Sequence, residues 1–378
     1  MKVSVLKCDD YNVEEICKVI RKSLENINFE IPKNKKILLK PNVLGQKKPE
    51  TAICTHPAVL DALCKLFEEN EIWIGDSGGI SAYGGTKKAF EISGIEAVAK
   101  KHNRKLISFE ASERKEIIDN NAKIIKKFIL AKEPFMVDLI INVPKLKTHV
   151  LMKYTGAVKN MFGCVPGGGK SQKHALAPNE EMFGNLLLDI YQNVKPQLNI
   201  MDAIIGLEGD GPGSAGKPKK VGLVIASEDA VALDIVASNI IGYNPLDIKT
   251  TKYAIERGLF SKIDDIEVIG EKDFKIYFKK PTIKSELASK MPKPIVKFVF
   301  NLFSIKPYVN KNKCKKCNIC ANVCPVKAIE LKPYPEFDRK KCVLCYCCHE
   351  NCPYSAIKLS YSGLITSLNK LRNLSSKR

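Results

Sequence analysis

The stretches CKKCNICANVCP (314–325) and CVLCYCCHENCP (342–353) carry one pattern twice, C-x2-C-x2-C-x3-C-P. Each runs on into a matching continuation, CPVKAIEL (324–331) and CPYSAIKL (352–359). Eight cysteines at this spacing read as cluster ligands. Zinc sites normally set two pairs of ligands apart by a long gap, and disulfides need an oxidising compartment that nothing else in the chain supports.

The spacing is that of bacterial two-cluster ferredoxins, in which three thiolates wrap one [4Fe–4S] cubane and the fourth, before the proline, ligates the other. It predicts that Cys314, Cys317 and Cys320 share a cluster with Cys352, and that Cys342, Cys345 and Cys348 share one with Cys324. Cys347 falls out of phase with the run, and His349 is not needed to complete either set. A small α+β ferredoxin-like module over 308–361 with two [4Fe–4S] clusters is expected, together with a redox partner protein.

Outward from the module, Pro281, Pro292, Pro294 and Pro307 flank the apolar run IVKFVFNLF (295–303). This reads as a linker with a docking helix over 279–307, since the run is only half a membrane span long. The tail 362–378 places Leu364, Leu368, Leu371 and Leu374 at helical spacing on a basic background, again as a docking helix. The start MKVSVLKCDD turns polar after six residues, unlike a signal peptide. A cytoplasmic, reducing and anaerobic setting follows, with no membrane partner.

The net charge is +20. Residues 311–378 supply fourteen Lys or Arg against four Asp or Glu, offset in part by the cluster thiolates. The remaining charge is spread without an Arg-rich stripe or interleaved aromatics, so a lysine-rich solvated surface is expected and a nucleic-acid partner is not.

In residues 1–278, apolar β-rich runs alternate with helical patterns. VSVL (3–6), KILL (36–39), IWIG (72–75), LISF (106–109), LIINV (139–143), NIMDAII (199–205), VGLVIA (221–226) and IEVIG (266–270) read as strands, and 56–70, 86–102 and 229–242 as helices. The alternation predicts an α/β fold with a largely parallel sheet. Ligands of such sheets collect at the carboxyl ends of strands. There the sequence sets Lys40 and Asn42, Asp76, then Lys145, Lys147 and His149 in PKLKTH, then Lys159, Asn160, Lys170 and His174, and Glu208 among glycines.

These lysines suit a small anionic molecule, and the histidines suit proton transfer or a further metal or organic cofactor. His149, Lys145, Lys159 and Asp76 are expected to converge on one cleft with His174 as the reacting groups, and Lys40, Asn42, Lys147, Asn160, Lys170 and Glu208 as binding groups. GCVPGGGKS (163–171) fails as a nucleotide P-loop, having five residues between Gly163 and Gly169 where four are required, and reads as a glycine-rich lid or anion nest.

LKPN (39–42), THP (55–57), GDSGG (75–79), NVPKLKTH (142–149), TGAVKNMFG (155–163), the Lys170–His174 pair and MDAIIGLEGDGP (201–212) together resemble the domain-of-unknown-function family numbered three hundred and sixty-two. The resemblance covers about residues 1–270, and members of that family often carry a C-terminal two-cluster ferredoxin module. It implies a fold similar to that of lactate racemase, which uses a lysine-tethered nickel cofactor and paired histidines, although no one lysine here takes the tethering place. Two functions are compatible with the sequence. One is an iron–sulfur oxidoreductase whose α/β domain binds a small anion. The other is a polyferredoxin-like carrier or cofactor-assembly protein without turnover of its own.

Overall fold

Two layers of apolar side chains, one on each face of a single sheet, organise the α/β part. In the computed structural model, which describes residues 1–79, 85–167, 169–281 and 306–360, successive strand residues go to opposite layers. Ile37 and Leu39 join one and Leu38 the other; Ile72 and Ile74 join the first and Trp73 the second. Strands buried on both faces need unbroken apolar runs, which is why KILL and LIINV are continuous and not alternating.

The sheet contains β1 (Lys2–Lys7), β2 (Lys36–Pro41), β3 (Glu71–Asp76), β4 (Lys105–Ser108), β7 (Leu139–Val143), β8 (Lys145–His149), β9 (Lys153–Thr155), β10 (Leu198–Gly209), β11 (Gly216–Ser227) and β12 (Glu267–Gly270). Its order is β12-β1-β11-β10-β7-β2-β3-β4, with β8 on β10 and β9 on β8. The steps β10-β7-β2-β3-β4 and β1-β12 are parallel, and those of β11 with β1 and β10 are antiparallel. A separate antiparallel pair, β5 (Arg114–Ile118) and β6 (Lys127–Ala131), follows β4 in the chain.

Helices cover both faces. On one lie α1 (Val13–Ile27) and α2 (Pro57–Leu66), followed by α3 (Gly85–Ile92) and α4 (Ile95–Lys101). The other carries α5 (Ala157–Asn160), α6 (Gly169–Leu176), α7 (Glu180–Val194), α8 (Ala230–Ile240) and α9 (Lys249–Glu256). The single helix expected over 86–102 is two, because Gly94 takes φ 76 between them. Asn12 caps α1 by accepting from the amides of Glu14 and Glu15 at 3.0 and 3.1 Å. The polar segment after LIINV forms a further strand, β8, with Lys145–His149 all buried.

In the module, β13 (Lys306–Val309) pairs with β16 (Ile357–Ser360), and β14 (Ile329–Leu331) with β15 (Pro335–Phe337). Short helices α10 (Ile319–Asn322) and α11 (Cys347–Glu350) follow the first cysteines of each run. Matched positions share left-handed backbone: Lys316 and Leu344 (φ 56 and 55), Asn318 and Tyr346 (62 and 58), Lys327 and Ser355 (50 and 48). The docking run 295–303 and the basic tail 362–378 lie outside the described residues.

Candidate functional site

Cys314, Cys317 and Cys320 line one cleft of the module together with Cys352 from the other run. Ile319, Pro335, Ala356 and Ile357 complete much of its wall. In the second run, burial raises the Cys348 thiol, and Cys345, Cys342, then Cys320 and Cys324 of the first run push it further in the same direction. Backbone amides point at sulfur: Lys316 N–H at Cys314 (3.4 Å), Ala328 N–H at Cys324 (3.2 Å) and Ala356 N–H at Cys352 (3.1 Å).

A sulfur quartet in a largely apolar cleft, with amide donors to sulfur, fits the chemistry of a [4Fe–4S] cubane. Among the described residues, no three His, Cys, Asp or Glu side chains close on a single metal ion. A cubane spreads its four sulfurs more widely than one ion does.

The α/β domain has its own cavity, of about 70 Å³, at the carboxyl ends of β2 and β3. It is lined by Asn42, Asp76, Lys147, Lys159, Asn160, Lys170 and His174, among others. One water needs roughly 10–15 Å³ on this scale, so the space suits a small ion or acid.

The lining is tied down from behind. Lys40, wholly buried, donates to Asp76 at 2.7 Å and to the Pro41 carbonyl at 2.9 Å, while Asp76 also accepts from the Val43 amide at 2.8 Å. Gly163 permits this packing, since a Cβ there would collide with the Asp76 carboxylate and the Lys40 ammonium. Asn160 donates to Asn142 at 2.7 Å and accepts from Asn42 at 3.1 Å, and Lys147 donates to Asn42 and to the Ile53 carbonyl. Lys159 rides on α5, whose first amides, of Ala157 and Val158, are held by Asp234 at 2.6 and 3.0 Å.

Electrostatics follow burial. Lys170 donates to the carbonyls of Ser77 and Gly78, and burial pulls its ammonium down to about 8. Burial, with Lys159 nearby, takes His174 down to about 3, and its ring stacks on Phe183 at 4.3 Å between centroids. His174 Nδ1 is buried with no hydrogen-bond partner among the described residues. His149 lies fully buried behind this lining, its Nδ1 accepting from the amides of Leu151 and Met152 at 3.1 and 3.2 Å. Burial first, then Lys159, holds it well below the ordinary histidine range.

Four of the eleven residues expected here do not line the cavity: Lys40 and His149 are buried beside it, and Lys145 and Glu208 are engaged elsewhere. Lys145 does not reach the cavity: its ammonium pairs with Asp202 at 2.8 Å and bonds the Tyr11 hydroxyl at 2.8 Å, and Tyr11 stacks on His56. The reason is position along the strand and not its face: Lys145 and Lys147 share a face of β8, but Asp202 stands in register with Lys145 while Leu207 stands opposite Lys147. Glu208 sits toward the end of the β10–β11 hairpin, paired with Lys219 at 3.2 Å and accepting from the Lys279 amide at 2.8 Å.

Cys347 and Asn351, from the cysteine-rich module, also line the cavity. Lys47 of the α/β domain donates to the Pro353 carbonyl at 3.4 Å, and Asn351 lies beside Gly79. Cys347, a spectator by spacing, is thus a wall residue one position from a cluster-set cysteine. No spacing argument signals this, since it depends on how the module docks.

Comparison with known proteins follows the same division. The family described as "Domain of unknown function (DUF362)" matches residues 37–239, and "4Fe-4S binding domain" matches 307–330. The thylakoid-associated protein sll1697 of Synechocystis sp. is 33% identical over 255 residues, covering 66% of this chain and 77% of the relative. Pyruvate synthase subunit PorD of Thermotoga maritima is 57% identical over 28 residues, 7% of this chain and 28% of that protein. The lactate racemase apoprotein of Thermoanaerobacterium thermosaccharolyticum aligns with a TM-score of 0.39 at 12% identity, covering 60% of this chain and 53% of its own. Among the described residues no helix is long and apolar enough to cross a membrane.

Proposed function

The chain belongs to the family described as domain of unknown function DUF362 and carries a 4Fe-4S binding domain, and from that premise we propose an iron–sulfur oxidoreductase of anaerobic metabolism whose α/β cavity binds a small anionic substrate or cofactor beside the clusters. The observation that supports this most is the shared wall: Lys147, Lys159 and Lys170 line one cavity with Cys347 and Asn351. A pure carrier needs no lysine-lined cavity against its cluster domain.

In this reading Cys314, Cys317, Cys320 and Cys352 hold one cluster, and Cys342, Cys345, Cys348 and Cys324 the other. When bound, such clusters supply one-electron transfer. Lys147, Lys159 and Lys170 bind the anion's oxygens by charge-assisted hydrogen bonds. Asn42 and Asn160 orient the lysines, and Asp76 with Lys40 fixes the floor. His174, neutral because burial has taken it to about 3, offers Nδ1 as a hydrogen-bonding group for the ligand. The cavity's small volume favours a compact oxyanion or carboxylate over a nucleotide-sized ligand.

The test is calorimetric titration of anaerobically reconstituted protein with phosphate, sulfate, acetate and oxalate, with electron paramagnetic resonance of the reduced protein alongside. At least one anion should bind and alter a cluster signal. Lys159→Met should weaken that binding about tenfold or more at unchanged iron content. Absence of binding by all four anions, with cluster signals identical in cavity variants, would leave the carrier reading in its place.

A further inference from the structure

We infer that electrons arrive at the quartet Cys314, Cys317, Cys320 and Cys352 from a small acidic one-electron carrier protein that docks on the lysine-ringed edge around Cys317. This rests on the electron-transfer reading above and adds the surface and the partner's chemistry. The two quartets are not equivalent. Cys317 is the exposed one of the eight cysteines, while the second run reaches the cavity wall of the α/β domain through Cys347 and Asn351. The quartet that contains Cys317 therefore has an edge open to a partner.

The outward edge is cationic. Lys311, Lys313, Lys315 and Lys316 are all exposed, and Lys315 and Lys316 line the cleft with Cys317. Of the carboxylates in residues 306–337, Glu330 is paired with Lys332 at 2.6 Å, which leaves Glu336. The ammonium groups of Lys311 and Lys316 stand 5.6 and 4.8 Å from the Tyr334 ring centroid, which holds them beside the cleft.

An oxidised cubane with four thiolates carries about −2, so these four lysines more than cancel it and present a positive face. Charged patches of this kind steer an oppositely charged partner and raise its association rate. In the exchange the carrier loses one electron, becoming oxidised, and the outward cluster gains it. No proton or bond changes hands.

Stopped-flow reduction of the holoprotein by a reduced acidic [2Fe–2S] ferredoxin tests this. The second-order rate of the wild type should fall steeply as salt rises from about 0.02 to 0.5 M, and K315E/K316E should lower it about tenfold or more at low salt. K18E/K22E, an equal charge change on exposed positions of α1, should stay within about twofold of the wild type. Iron content and reduction by dithionite report whether each variant is intact. A rate indifferent to salt, or equal in K315E/K316E and wild type, overturns the docking surface while the cavity reading stands. If dithionite cannot reduce the wild-type holoprotein, the electron-transfer reading itself falls and takes this inference with it.

Discussion

Lys170 offers a direct way to ask whether the cavity is maintained for binding. It is 8% exposed, and its ammonium donates to two carbonyls, those of Ser77 and Gly78. Burial lowers it from 10.5 to about 8. Because the folded value lies below the unfolded one, the folded state holds fewer protons between those values, and stability rises with pH across that window. The cost of burying the ammonium is about 3 kcal/mol at pH 7 and about 1 kcal/mol at pH 9.5. Lys170→Met removes the titration, while the loss of its two hydrogen bonds is nearly independent of pH. The stability of the wild type relative to the variant should therefore rise by about 2 kcal/mol between pH 7 and 9.5. Trp73, the one tryptophan of the chain, lies in the sheet at 5% exposure, so its fluorescence reports urea unfolding of the α/β domain. A relative stability that is flat or falls over this range would refute the buried-ammonium argument. Anion affinity should decline above pH 8 for the same reason.

The buried pairs give sharper contrasts. Asp76→Asn leaves the Lys40 ammonium buried without its carboxylate and should destabilise the domain by about 3–5 kcal/mol, read from the Trp73 urea midpoint. Lys145→Ala should cost a similar amount, about 3–5 kcal/mol, because it strands Asp202, yet leave anion affinity in the cavity unchanged by calorimetry. Cys352→Ser should lower iron from about eight toward about four per chain and remove the signal of the cluster held by Cys314, Cys317 and Cys320, not that of its nearer neighbours in sequence. Loss of the other signal would refute the crossed pairing.

Much of the framework is legible from local chemistry. All eight apolar runs contain strands; the inner ones are apolar because they are covered on both faces, while β4 and β12 at the sheet edges are partly exposed. The cysteine runs are likewise local, since the reach between ligands is set by the turns of the chain itself. PKLKTH was legible only in part: Lys147 lines the cavity as expected, whereas Lys145 is buried against Asp202 from a distant segment.

What the sequence determined alone was therefore the strand-helix alternation, the doubled cysteine run and the set of polar residues gathered near strand ends. Which lysine faces the cavity, and which is absorbed by Asp202, was decided only by register between β8 and β10. The meeting of Cys347 and Asn351 with Lys159 and Lys170 was decided by the docking of one domain on another. Short-range pattern encodes secondary structure and ligand spacing, but a buried charge is placed by whichever partner the fold brings within hydrogen-bonding distance, and that partner can lie anywhere in the chain.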